Sequence, residues 1–339
     1  MENNIPSVEH DGSSFQRTKE DVLLPASIIV AAALIAGAWI YTGGLEQRRE
    51  RVLPQEQGSL NALEEAVAPS EGVVLPVVWK DMGVQMVRAG VIDKEKFEKL
   101  YEGRGGVGEY EKNLLQGTEN GNIKITPENS GILLNLFWAL GLGTKNDILE
   151  KGPMRDLRYG GAGGFASTGG WTLSEGNAMD HYARHPFIVL TNEKQSVVER
   201  VSKNIFRPCC DNSTYFPDCN HGMAMLGLLE LMASQGVSEE EMYRVALQVN
   251  AYWFPDTYLT IGTYMKNNGI DWKDVDPQEI LGINYSSVSG YARIAAQVAE
   301  PQQERGENGC GVDAGGSAAP ERESVSPTLQ RGEQSGCGI

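Results

Sequence analysis

The sequence predicts an all-α fold, or nearly so: an irregular bundle of short helices behind one N-terminal transmembrane helix, with a disordered C-terminal tail. Three observations predict it. Apolar residues between about Val73 and Val298 recur at helical spacing, and strand-like alternation is scarce. An uncharged apolar run fills residues 22–45, and past residue 299 the composition collapses to Gly, Ser, Glu, Pro, Gln and Arg. Hydrophobic residues are 41% of the 339, enough for a core. Lys and Arg number 29 against 45 Asp and Glu, a net charge of −16, so a nucleic-acid partner is not expected.

Residues 1–21 are a polar tail. Residues 22–45 are the expected anchor, through which the chain meets the lipid bilayer as a single-pass membrane protein. About 20 apolar residues rising 1.5 Å each cover a hydrocarbon core roughly 30 Å thick. Pro25 stands near the entry of the run, where a missing N–H costs little, and Trp39 and Tyr41 stand at its far end as interfacial aromatics do. A cleaved signal peptide with Ala36-Gly37-Ala38 as its site is the alternative. The long acidic segment before the run and its continuation through Trp39-Ile40-Tyr41 favour an uncleaved anchor. Arg17 and Lys19 precede the span while Arg48, Arg49 and Arg51 follow it, so the positive-inside count leans against an external body. The layout of short tail, single span and large domain favours one, and an extracytoplasmic globular domain is the expectation.

Residues 46–72 read as a juxtamembrane linker with one short helix near Leu60–Val67, and residues 73–299 as the helical globular domain. Pro76–Gly90 and Lys94–Tyr101 read as two helices, the second capped by Asp93. Thr126-Pro127-Glu128-Asn129 opens a helix running through Leu133–Leu140 and stopped by Gly141. Ser238-Glu239-Glu240-Glu241 is a capping box ahead of Met242–Trp253. Pro255–Lys266, Pro277–Leu281 and Ser287–Val298 complete the run of helices, and Pro186–Leu190 is the one convincing extended stretch. Residues 300–339 cannot bury enough apolar area to offset the entropy of ordering them. They carry Cys310 and Cys337 in two similar tetrapeptides, Gly309-Cys310-Gly311-Val312 and Gly336-Cys337-Gly338-Ile339. Cys337 is third from the end, so the second is not a prenylation box.

Cys209, Cys210, Cys219 and His221 fall within thirteen residues on a turn-rich loop holding Pro208, Asn212 and Pro217. An apolar helix, Met223–Ala233, follows at once. The loop therefore delivers Cys219 and His221 to a helix N-terminus, where unpaired amide protons lower a thiol pKa. Three sulfurs and an imidazole are a donor set for tetrahedral zinc, and soft thiolates also suit Cu(I). Other readings of the same residues stay open. A Cys210–Cys219 disulfide closes a short loop, a Cys209–Cys210 vicinal bridge strains its ring, and buried cysteines also serve as inert packing.

The block 204–238, with RPCC, FPDCNHG and MAMLGLLELMASQG in succession, resembles a group of bacterial membrane-anchored proteins that often end in a Gly-Cys-Gly-Val tail. The likeness implies a tethered domain over much of residues 75–300 and assigns no activity. Over about thirty residues the loop also resembles the loop-to-helix motif of PCYCGC-type proteins, with Cys209-Cys210 in place of Cys-Tyr-Cys.

His181 and His185 stand four apart, which places them on one face if the segment is helical, and they are second-rank ligand candidates. Asp180 is a candidate to orient one of the rings. Gly160–Gly170 contains a GxGxxA pattern at Gly161, Gly163 and Ala166, but no strand precedes it and no Lys follows, so a loop is expected there. Met223, Met225 and Met232 read as packing groups, as do Tyr252, Trp253 and Phe254. No Ser-His-Asp pattern stands out, and Cys219 with His221 two residues on is an unusual geometry for proton transfer.

The functional expectation is thus a membrane-anchored helical domain that binds a soft metal ion, zinc or copper, through Cys209, Cys210, Cys219 and His221. The tail thiols Cys310 and Cys337 are placed to capture or pass on the ion. A thiol–disulfide redox protein with a redox partner, and an interaction domain with a stapled loop, are the alternatives.

Overall fold

Helices dominate residues 58–298, the part of the chain that the computed structural model describes. The expected anchor at 22–45 and the tail cysteines Cys310 and Cys337 lie outside the described residues. Among the described residues no helix is long and apolar enough to cross a membrane. The chain runs through α1 (residues 58–67), β1 (Val73–Lys80), α2 (Met82–Arg88), α3 (Lys94–Glu102), α4 (Glu109–Gln116) and β2 (Asn120–Ile125). It continues through α5 (Ser130–Gly143), α6 (Asp147–Lys151), a run of 3-10 turns, α7 (Ala166–Gly169), α8 (Ala178–His181) and α9 (Asn192–Asn204). The last part holds α10 (Asn220–Ser234), α11 (Glu239–Trp253), α12 (Pro255–Asn267), α13 (Pro277–Ile280), α14 (Ile283–Ser286) and α15 (Val288–Ala295). A compact unit begins at Ala62. Leu63 and Val67, in the stretch read as linker, are buried in its core.

Two helices that are apolar on nearly every side form the centre, as expected of fully buried helices. In α5 all residues from Leu133 to Gly143 except Leu134 are buried, and in α10 all from His221 to Ala233. They cross at a pair of glycines. A Cβ on Gly141 would collide with the Met223 carbonyl oxygen, and one on Gly227 with the Phe137 carbonyl oxygen. The helix read as stopping at Gly141 therefore continues to Gly143, because Gly141 serves the crossing rather than a terminus. Tyr101 donates to the Gly131 carbonyl at 3.2 Å, and Trp138 Nε1 to the Ser167 carbonyl at 2.7 Å, fixing α3 and α7 against α5.

The segment read as a helix from Pro76 is a strand up to Lys80. Leu75, Val77 and Trp79 are buried at every second position, a period of two. β1 pairs antiparallel with β2, Val73 opposite Ile125 and Lys80 opposite Asn120, with a register irregularity between Val74 and Val78. Pro76, which has no N–H to give, sits within that irregularity. Pro186–Leu190, in contrast, forms no strand. Pro186 lacks a donor, Val189 is 80% exposed, and the one ladder contact nearby is an isolated parallel bridge between Thr144 and His185.

Caps explain most of the helix starts. Asp93 accepts from the backbone N–H groups of Glu95 and Lys96. Ser238 accepts from Glu241 N, while the Glu241 side chain pairs with Arg244 instead of closing the box. The reciprocal box forms at α8, between Asn177 and Asp180. The sequence reading missed α4, α6, α9 and α14, and it took the stretch that holds α7 for a loop. α9 starts at the Thr191 cap and buries Val198 and Val201, and α4 buries only Leu114 and Leu115.

Candidate metal centre

The loop between α9 and α10 is tied down at both flanks before it reaches its cysteines. Thr214 N donates to the Ile205 carbonyl at 2.8 Å and Tyr215 N to the Ser202 carbonyl at 3.0 Å, pinning the loop to the end of α9. Phe206 N donates to the Leu281 carbonyl, Val288 N to the Cys210 carbonyl, and Ser289 N to Asp211 Oδ1 at 2.9 Å, holding the other side against α13–α15. Ser167 N, from the glycine-rich stretch, donates to the Asp218 carbonyl at 2.8 Å. That stretch is a short helix and turns packed beside the loop, as Phe165 and Tyr159 against Phe216 also show. Backbone position is thus set by many bonds, and the loop has little freedom left.

Cys219 is the N-cap of α10, with Gly222 N donating to its Sγ at 3.4 Å. Its Sγ lies 3.3 Å from Cys209 Sγ. One ligand atom each from Cys209, Cys219 and His221 lies within 4.8 Å of the others, the one such group of three or more among the described residues. Cys209, Cys210 and Cys219 are free thiols, so neither the Cys210–Cys219 staple nor the vicinal bridge is present. Cys210 Sγ also lies 3.9 Å from the Asn212 carbonyl; it is outside the group of three donors but still interacts with both other sulfurs. His221 is 3% exposed, lies with its ring centroid 4.4 Å from that of Phe254 and 5.7 Å from that of Trp253, and leaves Nδ1 without a hydrogen-bond partner.

Arg207 completes the site, and the sequence reading passed over it. Its side chain is 1% exposed, and Nε donates to Cys219 Sγ at 2.9 Å. The two Nη groups donate to the carbonyls of Asn212 at 3.1 Å and Phe216 at 3.3 Å. A guanidinium stays charged in a protein, and a buried charge needs a partner. Hydrogen bonds from Cys209 and then Cys210 hold the Cys219 thiol well below its usual range against the opposing effect of burial, and Arg207 and His221 pull the same way. Cys209 is pushed up by its hydrogen bonds with Cys210 and Cys219 and by burial. For Cys210, Cys209 pulls down while Cys219 and burial together outweigh it, so it too is raised. Among the three sulfurs Cys219 is thus the one favoured to carry negative charge, with Arg207 as its counter-charge. The one advance signal was Arg207 itself, a basic residue set immediately before the Pro-Cys-Cys turn.

The histidine pair sits elsewhere in the fold. α8 ends at His181, and Ala183, with φ 53°, turns the chain so that His181 Nδ1 meets His185 Nε2 at 3.2 Å. The two rings meet across a turn, not along one helix face. His181 Nε2 lies 2.8 Å from the Glu175 carbonyl oxygen, so it is the protonated nitrogen. Asp180 accepts from Asn177 N rather than from an imidazole. Neither histidine belongs to the cysteine group.

Sulfur donors, a buried imidazole nitrogen and a fixed counter-charge can hold a metal ion of the soft or borderline class. Comparisons with protein-family models, with curated proteins and with solved structures find no match to this chain.

Proposed function

We propose that this chain is a membrane-anchored helical domain that binds a soft metal ion through Cys209, Cys219 and His221. The observation that carries the reading is the convergence of three donor atoms within 4.8 Å, one of them on an imidazole whose buried Nδ1 has no hydrogen-bond partner. A bound cation would satisfy that nitrogen. The short loop supports the reading as well, since backbone bonds to three neighbouring elements set the donors before an ion arrives. Cys210 stands next to Cys209, outside the group of three donors but interacting with both other sulfurs. In this reading residues 22–45 tether the domain outside the cytoplasm, and Cys310 and Cys337 offer thiols to the ion at high effective concentration. Elemental analysis of the full chain tests it. Stoichiometric metal that disappears in Cys219→Ser is expected, and metal content unchanged by that substitution would reject the site.

Thiol–disulfide exchange is the second reading, and the Arg207–Cys219 pair favours it. The two sulfurs, 3.3 Å apart, need little movement to close a bond once an oxidised partner disulfide takes up the two electrons, passing through a mixed disulfide and leaving as its dithiol. Mass measurement after alkylation separates the two, because a redox pair shows interconvertible bonded and free states.

A further inference from the structure

We infer that Cys209 and Cys219 either hold the ion or bond to each other, so that oxidation of the pair releases the metal. The inference rests on the metal-site reading above and concerns what regulates its occupancy. Two of the three converging donors are also sulfurs in direct contact, 3.3 Å apart. Two thiolates on one tetrahedral ion stand about 3.8 Å apart, given bonds near 2.3 Å. A disulfide brings the sulfurs to about 2 Å. The reduced pair lies between these spacings, so a modest side-chain shift reaches either state. Closing the bond removes two of the three donors at once and leaves the His221 imidazole alone. The two states therefore draw on the same atoms and exclude each other.

The backbone around the pair is held in place, which confines the change to side chains. Phe206 N donates to the Leu281 carbonyl and Val288 N to the Cys210 carbonyl on either side of Cys209. Ser167 N donates to the Asp218 carbonyl beside Cys219. Cys219 is the attacking sulfur, because Arg207 Nε at 2.9 Å and Gly222 N at 3.4 Å both donate to its Sγ. The three cysteines are partly exposed, within reach of a small disulfide such as oxidised glutathione. Cys219 displaces one glutathione thiolate and forms a mixed disulfide. Cys209 then attacks Cys219 Sγ, and the second glutathione thiolate leaves. Two electrons pass from the cysteine sulfurs to the glutathione disulfide, the departing thiolates take up two protons, and the ion goes to solvent. Cys210 interacts with both sulfurs but stays a thiol. A ring through Cys209 and Cys210 is strained, and Cys209 is the residue whose Sγ stands 3.3 Å from Cys219.

The test uses the full chain carrying Cys310→Ser and Cys337→Ser, with Zn²⁺ as the probe because it has no redox chemistry of its own. Zinc uptake by the reduced chain is measured first, against a chromogenic chelator. The chain is then equilibrated with glutathione mixtures at buffered free zinc, alkylated and mapped by peptide mass. A Cys209–Cys219 bond is expected, with Cys210 alkylated and zinc released in step with the bond. Linkage is reciprocal, so the ion resists oxidation as strongly as oxidation expels it. Free zinc at a hundred times its dissociation constant should therefore raise the ratio of oxidised to squared reduced glutathione at half oxidation by about a hundredfold. No bond at any ratio, a bond mapped to Cys210, zinc retained by the oxidised chain, or a half-oxidation ratio indifferent to zinc would overturn the inference and leave the metal site standing. A reduced chain that takes up no zinc would overturn the inference and the zinc form of the metal reading with it, and that failure shows before any oxidant is added.

Discussion

Gly222 is the residue that lets Arg207 reach Cys219. A Cβ at position 222 would overlap the guanidinium, 2.5 Å from Cζ and 2.8 Å from Nε. The guanidinium is fixed by the Asn212 and Phe216 carbonyls, so it cannot yield cheaply. Gly222→Ala should therefore break the contact with Cys219. Losing one side of a buried charge pair costs about 3 kcal/mol or more. Urea unfolding of the variant checks the loss, and a change under about 1 kcal/mol would show that the pair is not buried as described.

Cys219 gives the stability of the fold a pH dependence of known sign. The folded chain holds its thiol well below the ordinary value of 9.0. A depressed acid stabilises fully above its unfolded pKa and loses that contribution as pH falls through the folded one. As pH falls from the ordinary thiol value of 9.0 the stability should decline, and Cys219→Ala should lack this component while starting lower, with Arg207 unpaired. Cys209, whose pKa is raised, acts in the opposite sense and only as pH climbs past its unfolded value. Urea midpoints across that range for the two proteins decide the matter, and parallel profiles would contradict the assignment of the thiolate.

Glu230 is the odd residue of the central helix, a fully buried carboxyl with neither oxygen hydrogen-bonded. Burial pushes its pKa well above the usual 4.5, with Asn146 pulling weakly downward. The Asn146 amide is already committed, exchanging two 3.1 Å hydrogen bonds with Gln195, which is why burial wins. A raised acid stabilises below its unfolded pKa, and the contribution is lost as pH rises through the folded one. Glu230→Gln should remove that loss and raise stability at pH 9 relative to wild type by about 1–3 kcal/mol, the cost of a buried unpaired polar group. Thermal unfolding at pH 6 and pH 9 reads it, and equal shifts at both values would show that Glu230 does not titrate.

The α5–α10 crossing should tolerate no side chain. Gly227→Ala places its methyl against the Phe137 carbonyl and the Gly141 backbone, which cannot move without separating the two central helices. Overpacking of this kind costs about 1–3 kcal/mol and more against backbone. Chemical denaturation, or loss of soluble full chain, checks it. Stability within about 0.5 kcal/mol of wild type would mean the helices cross elsewhere.

Those two helices were legible in the sequence because they are apolar on every side, and the cysteine loop because four donors crowd into thirteen residues. Pro76–Lys80 was not legible as a strand. Its period of two spans only Leu75, Val77 and Trp79, and the partner segment Asn120–Ile125 is too polar to announce itself. Within the site, spacing alone could not separate Cys210 from Cys209. Which of the two adjacent residues comes closer to Cys219 depends on the turn at Arg207–Cys210. The role of Arg207 was hidden for a similar reason. Burial of a charge comes from tertiary packing, and composition gives no hint of it.

X-ray absorption at the edge of the metal bound to the reduced full chain reads the donor atoms themselves. A shell of two sulfurs near 2.3 Å and one imidazole nitrogen near 2.0 Å is expected, with the sulfur contribution collapsing in Cys219→Ser. A spectrum built from oxygen and nitrogen alone, or one that Cys219→Ser leaves unaltered, would contradict it.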